Sequence, residues 1–348
     1  MTEPLIEASA QQLVDVDVDA VAPTGRLPAF LRHWLVARFI WSIATLVGVS
    51  ILVFVILRVV PGNQIDAAFG TEAGTLTPAQ HAALAHYYGI DRSLWSQYFS
   101  WIGSVLTGNL GIALNTHLSV ASMTRSALPV TIELALLATI LGTLAGVALG
   151  LLSASRPNGV RDTVGQSIGL LALSVPSFVL GTAIVTIVAA KFNYFPNGGE
   201  YRAPWQSLSE NVQQMVFPAL VLGIAVAAPV MRTTRSAMIE VGSRDFVRTA
   251  RGKGLSAARV LFRHVLGNAA IPIVTMVGIQ FGYLLGGAVI VEQIFALPGI
   301  GRQVLQAIED REYAVVQSTV LVIAAAFVLV NFLTDLTYRW IDPRVREQ

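Results

Sequence analysis

Six apolar stretches of 19 to 27 residues constrain this chain more than any other feature of its sequence. A bilayer core about 30 Å thick is crossed by about 20 helical residues. Hydrocarbon offers no partner for backbone N–H and C=O groups, so such a stretch crosses as a helix. The stretches are Phe39 to Leu57, Leu134 to Leu152, Val164 to Ala190, Asn211 to Met231, Val265 to Val291 and Ala314 to Thr334. They predict an all-α, polytopic membrane protein with six transmembrane helices. Only 13% of the 348 residues are charged, about half the share in a soluble domain, which is too few for a cytosolic globule. Pro176, Pro218, Pro229 and Pro272 lie in or beside the stretches, and kinks are predicted there.

The basic residues fall unevenly on alternate sides, and Lys and Arg set membrane orientation. Sixteen of the 23 occupy one set of segments: Arg26, Arg32, Arg38, Arg156, Arg161, eight between Arg232 and Arg263, and Arg339, Arg344 and Arg346. The other set holds six, Arg92, Arg125, Lys191, Arg202, Arg302 and Arg311, with Arg58 at a border. Both termini are therefore predicted on the cytoplasmic face of a plasma membrane. A net charge of +2 gives no reason to expect a nucleic-acid partner.

Residues 1–30 read as a cytoplasmic tail, disordered by default around Asp15, Asp17 and Asp19. A lead of this length before the first apolar stretch, with no small-residue cleavage site after it, does not fit a signal peptide. Residues 31–60 form the first transmembrane region, 61–127 an outer helical segment, 128–340 a five-helix core with an inner loop at 232–268, and 341–348 a cytoplasmic end. The outer segment carries an amphipathic pattern around Leu94, Trp95, Tyr98, Phe99, Trp101, Ile102 and Leu106. Its rings suit either the headgroup layer or the top of a helix bundle, and both readings stay open.

The inner loop is the most informative segment. It has eight basic residues against Glu240 and Asp245. Ser243 and Asp245 are helix-start residues, Phe246 to Arg251 can form a short helix, and Gly252 and Gly254 stop it. Leu255-Ser256 then opens a second helical stretch leading into the fifth span. A short helix held along the membrane between basic arms is a docking device for a soluble partner.

No enzymatic chemistry is visible. The chain has no Cys, which excludes disulfides and thiolate nucleophiles. Its five histidines lack metal-ligand spacing, and no metal site is predicted. Gly165 to Gly169 spells a nucleophile elbow, but it opens an apolar stretch instead of a strand–turn–helix. No phosphate loop ends in Gly-Lys-Ser or Gly-Lys-Thr, so this chain is not expected to hydrolyse ATP by itself. Glu133, Glu292 and Asp335 sit near span ends, which disfavours a proton or sodium relay at the bilayer centre and reads as carboxylates hydrogen-bonded at helix ends. Gly142, Gly146 and Gly150, and likewise Gly278, Gly282 and Gly286, form smooth stripes. Packing within the bundle and packing at a subunit interface both remain open for them.

Taken together, these motifs resemble the integral membrane permeases of ATP-binding-cassette importers, of the dipeptide, oligopeptide and nickel class. The likeness spans nearly the whole chain. It runs through Arg58-Val59-Val60-Pro61-Gly62, Tyr88-Gly89-Ile90-Asp91, Leu94 to Tyr98, Gly108-Asn109-Leu110-Gly111, Leu128 to Leu134 and Ser174 to Phe178. Most specific is Asp245-Phe246-Val247-Arg248-Thr249-Ala250-Arg251-Gly252-Lys253-Gly254-Leu255 with Arg263-His264 and Asn268 to Pro272, which resembles this class's cytoplasmic-loop signature. Val291 to Phe295, Leu297-Pro298-Gly299-Ile300-Gly301 and Asp342-Pro343-Arg344 resemble its closing motifs. Arg248-Thr249-Ala250 stands where the general signature has Glu-Ala-Ala, and the stretch from Gly254 to Pro272 is longer than the general form.

The resemblance implies a type I ABC importer permease fold. It implies a coupling helix in which Asp245, Arg248, Thr249, Ala250, Gly254 and Leu255 dock into a cytoplasmic ATPase, with Ala250 and Gly254 in close contact. Leu297, Pro298, Gly299 and Gly301 would face a binding protein outside. The implied partners are a second homologous permease, two ATPase subunits or domains, an extracytoplasmic substrate-binding protein and the lipid bilayer. ATP and Mg would sit on the ATPases, with no cofactor in this chain. Peptides are the implied cargo; nickel, glutathione or another small ligand is the alternative, and a self-sufficient secondary transporter is the more distant one.

Overall fold

The structure, a computed structural model, describes residues 29–59, 65, 74–87, 89–193 and 200–341. Nearly all of the tail expected at 1–30, the Val60 to Gly62 part of one motif, Tyr88, and the C-terminal Asp342-Pro343-Arg344 lie outside the described residues. The chain divides into two units, Met1–Ala44 and Thr45–Gln348. Helix α1 (Ala29–Val59) begins in the first unit, where its Phe39, Ile40, Trp41 and Ile43 are exposed as a lipid-facing helix requires.

In the second unit, long apolar helices follow the predicted spans: the rest of α1, then α4 (Val120–Ala154), α7 (Leu208–Gly242), α9 (Ala257–Gly287) and α12 (Tyr313–Ile341). The remaining stretch departs from a single straight helix. It folds as α5 (Val160–Ser174) and α6 (Ser177–Phe192), bent by 89°. The cause is Pro176, whose ring disfavours helical dihedrals in the residue before it; Val175 sits at φ −93, ψ 117, and Pro176 caps α6. Pro218 and Pro229 instead lie inside the continuous α7, and Pro272 inside α9. Shorter helices complete the unit: α2 (Pro78–Tyr87), α3 (Leu94–Leu106), α8 (Asp245–Gly252), α10 (Val289–Ile294) and α11 (Ile300–Glu309).

Three span boundaries differ from the apolar stretches. The second span begins at Val120, not Leu134, so Glu133 lies within a helix. Helix α7 runs past Met231 to Gly242, and the early turns of α9, π-wound over Val260–Leu266, start well before Val265. The 232–268 loop is largely helix that projects beyond the apolar stretches, its last part being the helical stretch expected after Leu255-Ser256.

The core forms where α4 and α7 pack along their length. A Cβ at Gly142 would lie 2.6 Å from Val226 Cβ, one at Gly146 2.6 Å from the Ala227 carbonyl oxygen, and one at Gly150 2.6 Å from Thr234 Cβ. These glycines are what let the two backbones approach so closely. Leu134, Ala138, Met215, Leu222, Val226 and Phe295 fill the space beside them. The second glycine stripe is divided: Gly278 meets Thr334 and Gly282 meets Phe327 on α12, while a Cβ at Gly286 would meet nothing within 4 Å.

Helix α3 divides its apolar residues between two faces. One face packs inward, with Tyr98 and Trp101 against Phe54 at ring-centroid distances of 5.3 and 6.1 Å, Tyr98 Oη 2.9 Å from Ser50 Oγ, and Trp101 Nε1 donating to Ser318 Oγ at 3.4 Å. The other leaves Trp95, Phe99 and Leu106 exposed.

Candidate functional site

The basic end of the bundle is built around α8. Asp245 opens the helix, where a carboxylate favours the N-terminal dipole. Asp245 and Arg248 are exposed and 3.7 Å apart, and Thr249 Oγ1 donates to the Asp245 carbonyl oxygen at 3.0 Å. The helix closes with two crossed bonds, Leu255 N to Ala250 O at 3.3 Å and Gly254 N to Arg251 O at 2.9 Å, with Gly254 at φ +77. This is a Schellman cap, which needs a left-handed residue at the Gly254 position and a hydrophobic contact across it. Leu255 and Ala250 supply that contact, packed with Val247, Val260, Val265 and Met238. Ser256 Oγ then accepts from Arg259 N at 3.4 Å and starts the next helix.

The six residues expected to dock a partner are thus divided. Asp245, Arg248, Thr249 and Gly254 lie on the exposed side. Ala250 is only 6% exposed and packs within the chain. It turns inward because α8 is amphipathic, and Val247 and Ala250 form its apolar edge.

Beside α8, at the same end, lies a cluster that sequence reading passed over. Asp162, in the first turn of α5, is fully buried. Its carboxylate accepts Arg235 Nε at 2.6 Å and Nη2 at 2.7 Å, Ser153 Oγ at 2.5 Å, Asn158 N at 2.8 Å and Gln166 Nε2 at 3.0 Å. Three helices, α4, α5 and α7, meet on one carboxylate. A lone acid at the start of an apolar stretch was the available signal, but its partner is distant in sequence.

At the opposite end, Glu292 on α10 organises the segment that includes Leu297, Pro298, Gly299 and Gly301. The buried carboxylate accepts Thr131 Oγ1 at 2.5 Å and the backbone N–H groups of Arg302, at 2.9 Å, and Gly301. Thr131 Oγ1 in turn accepts Ile300 N at 2.8 Å. Together they cap the first turn of α11, placing an anion where the helix dipole favours it. A Cβ at Gly299 would run into the Glu292 carboxylate, and one at Gly301 would lie 2.7 Å from Val289 Cγ2 and 3.0 Å from Glu292 Oε2, so both positions suit glycine. Leu297, Gly299 and Gly301 are accordingly buried, and Pro298 alone of the four is exposed. Nearby, Tyr201 Oη donates to Glu133 Oε2 at 2.5 Å, and burial together with that carboxylate pushes the phenol well above its ordinary pKa. Among the described residues no three His, Asp or Glu side chains are placed to share a metal ion.

Comparison with known proteins assigns this architecture. The family model described as "Binding-protein-dependent transport system inner membrane component" matches residues 146–347, and its N-terminal companion matches 31–135. The chain belongs to this family. Its relatives include the di/tripeptide transport system permease protein DppB of Pseudomonas aeruginosa (strain UCBPP-PA14), 35% identical over 88% of this chain and 96% of the relative. The dipeptide transport system permease protein DppB of Escherichia coli (strain K12) is 34% identical over 91% of this chain and all of the relative. Among solved structures, a chain of the MetNI methionine ABC transporter overlays with a TM-score of 0.51, covering 63% of this chain and 96% of that one at 18% identity. That overlay shows the type I ABC importer permease fold. This member of the binding-protein-dependent family is a multi-pass inner-membrane permease subunit of an ABC importer, and α8 occupies the segment whose sequence carried the resemblance.

Proposed function

We propose that this permease moves peptides, dipeptides or oligopeptides, into the cytoplasm by alternating access with a second homologous permease. Two cytoplasmic ATPase subunits or domains would carry ATP and Mg and dock at α8, and an extracytoplasmic binding protein would deliver the cargo. Both termini would be cytoplasmic, on the side of α8. The observation that carries this reading is the geometry of α8: a capped helix projecting past the apolar stretches, with an apolar edge fixed to the bundle and a charged face left open. The peptide assignment is supported by relatives that are named as peptide permeases and align over nearly their whole length.

The reading is tested by tagging the chain, extracting it gently from its native membrane and identifying what co-purifies by mass spectrometry. An ATPase, a second permease and a binding protein with a bound peptide are the expected company. A chain that emerges alone, under conditions that preserve other membrane complexes, refutes it.

A further inference from the structure

We propose that Asp162 and Arg235 are positioning residues that make the bent pair α5–α6 move as one body with the α8 docking helix. This rests on the reading that an ATPase works on α8. Arg235 is seven residues before the end of α7, about 10 Å along the helix at 1.5 Å per residue. Helix α8 follows after Ser243 and Arg244, and the joint is stiff. Arg244 Nη2 pairs with Glu240 at 2.8 Å, Ser243 Oγ donates to the Glu240 carbonyl oxygen at 2.7 Å, and Val247 and Ala250 share a buried cluster with Ala237, Met238 and Val241 of α7. Displacement of α8 must therefore reach Arg235.

From Arg235 it passes to α5. The guanidinium grips Asp162 with two parallel bonds, a geometry that fixes orientation as well as distance. Donors from Ser153, Asn158 and Gln166 occupy the remaining acceptor positions, so the carboxylate has no partner to exchange for another. Gly165 and Gly169 let α5 lie close against Ser153 and Met231. Beyond the 89° bend, Gly181 of α6 rests on Ile294 and Phe295 at the Glu292 end. A continuous set of packed contacts thus runs from the docking helix to the opposite end of the bundle, and Asp162–Arg235 is the buried ion pair within it. The test reads motion and stoichiometry directly.

The chain has no native Cys, so spin labels can be placed at Arg161→Cys on α5 and at the exposed Lys253→Cys at the end of α8 in the complete importer. The distance between them is expected to stay constant across nucleotide-free, ATP-bound and vanadate-trapped states. A change between states in the otherwise wild-type chain overturns the proposal. In proteoliposomes holding the complete importer, Asp162→Asn is expected to assemble and hydrolyse ATP while cargo uptake per ATP falls about tenfold, within the range that network mutations impose on coupling. Arg235→Lys, which keeps the charge and loses the fork, is expected to fall between the two. An assembled Asp162→Asn importer with the wild-type ratio overturns the proposal, as does a proportional loss of hydrolysis and uptake, the mark of a merely structural pair. If Asp162→Asn fails to assemble, Ser153→Ala and Arg235→Lys serve in its place, and wild-type ratios in both overturn it. Absence of ATP-dependent uptake by the wild-type complex sinks the importer reading itself, an outcome distinct from any of these.

Discussion

Gly254 separates two physical roles that a single substitution would confound. Its φ of +77 places it in the left-handed region, where an L-residue costs about 1–2 kcal/mol. That is about five- to thirtyfold in the local equilibrium, at about 1.4 kcal/mol per factor of ten. Asn and Asp relieve part of that strain by local hydrogen bonding, whereas Ala does not. Within the chain a Cβ there meets nothing within 4 Å, so no internal clash contributes. If Gly254 serves only to end α8, transport should rank Gly above Asn and Asp, with Ala worst. If the exposed turn meets an ATPase surface, size and charge dominate, and Ala should outperform Asn and Asp. We expect the second order. Gly254→Ala should keep partial uptake, and Gly254→Asp should abolish both uptake and ATPase co-purification while membrane insertion stays normal. ATP-driven uptake and pull-down of the ATPase, measured on all three variants, decide the matter; an Asn or Asp variant that transports better than Ala refutes the docking role.

Gly146→Ala should force α4 away from α7, because its Cβ would lie 2.6 Å from the Ala227 carbonyl oxygen; a loss of about 1–3 kcal/mol should appear as a lower melting temperature in detergent, with Gly286→Ala unchanged as the control. Glu292→Ala removes the shared acceptor for Thr131, Gly301 and Arg302 and should cost about 3 kcal/mol, seen as faster hydrogen exchange at the start of α11; unchanged protection there would show that Glu292 does not hold the segment. Tyr201→Phe takes away the hydroxyl that donates to Glu133 and should cost about 1–3 kcal/mol, with Tyr201→Trp no better, since neither supplies a hydroxyl at that position; a melting temperature equal to wild type would exclude this bond from the stability of the bundle.

Local signals in the sequence located the short helix α8 closely. Asp245 at a helix start and glycines at its end are short-range chemistry, readable without knowing what lies nearby, and α8 runs from Asp245 to Gly252 as those signals suggest. The direction Ala250 faces was not readable, because a small residue suits both a tight external contact and an internal one. The same ambiguity applied to Leu297, Gly299 and Gly301. Gly299 and Gly301 are buried around the carboxylate of Glu292, which meets the Thr131 hydroxyl only when α4 packs beside α10 and α11, and Leu297 is buried in the apolar core.

What the sequence determined by itself is whatever depends on length, hydropathy and local turn chemistry: helical spans, the uneven distribution of Lys and Arg, and the cap at Gly254. Only the tertiary structure decided which glycines face another helix, how sharply the chain bends after Val175, and that Asp162 and Arg235 meet. The reason is that hydrogen bonding along a helix joins near neighbours in sequence, while an ion pair or a close backbone contact between helices joins residues brought together by packing. The burial of Asp162 and the path from α8 to Glu292 belong to that second kind.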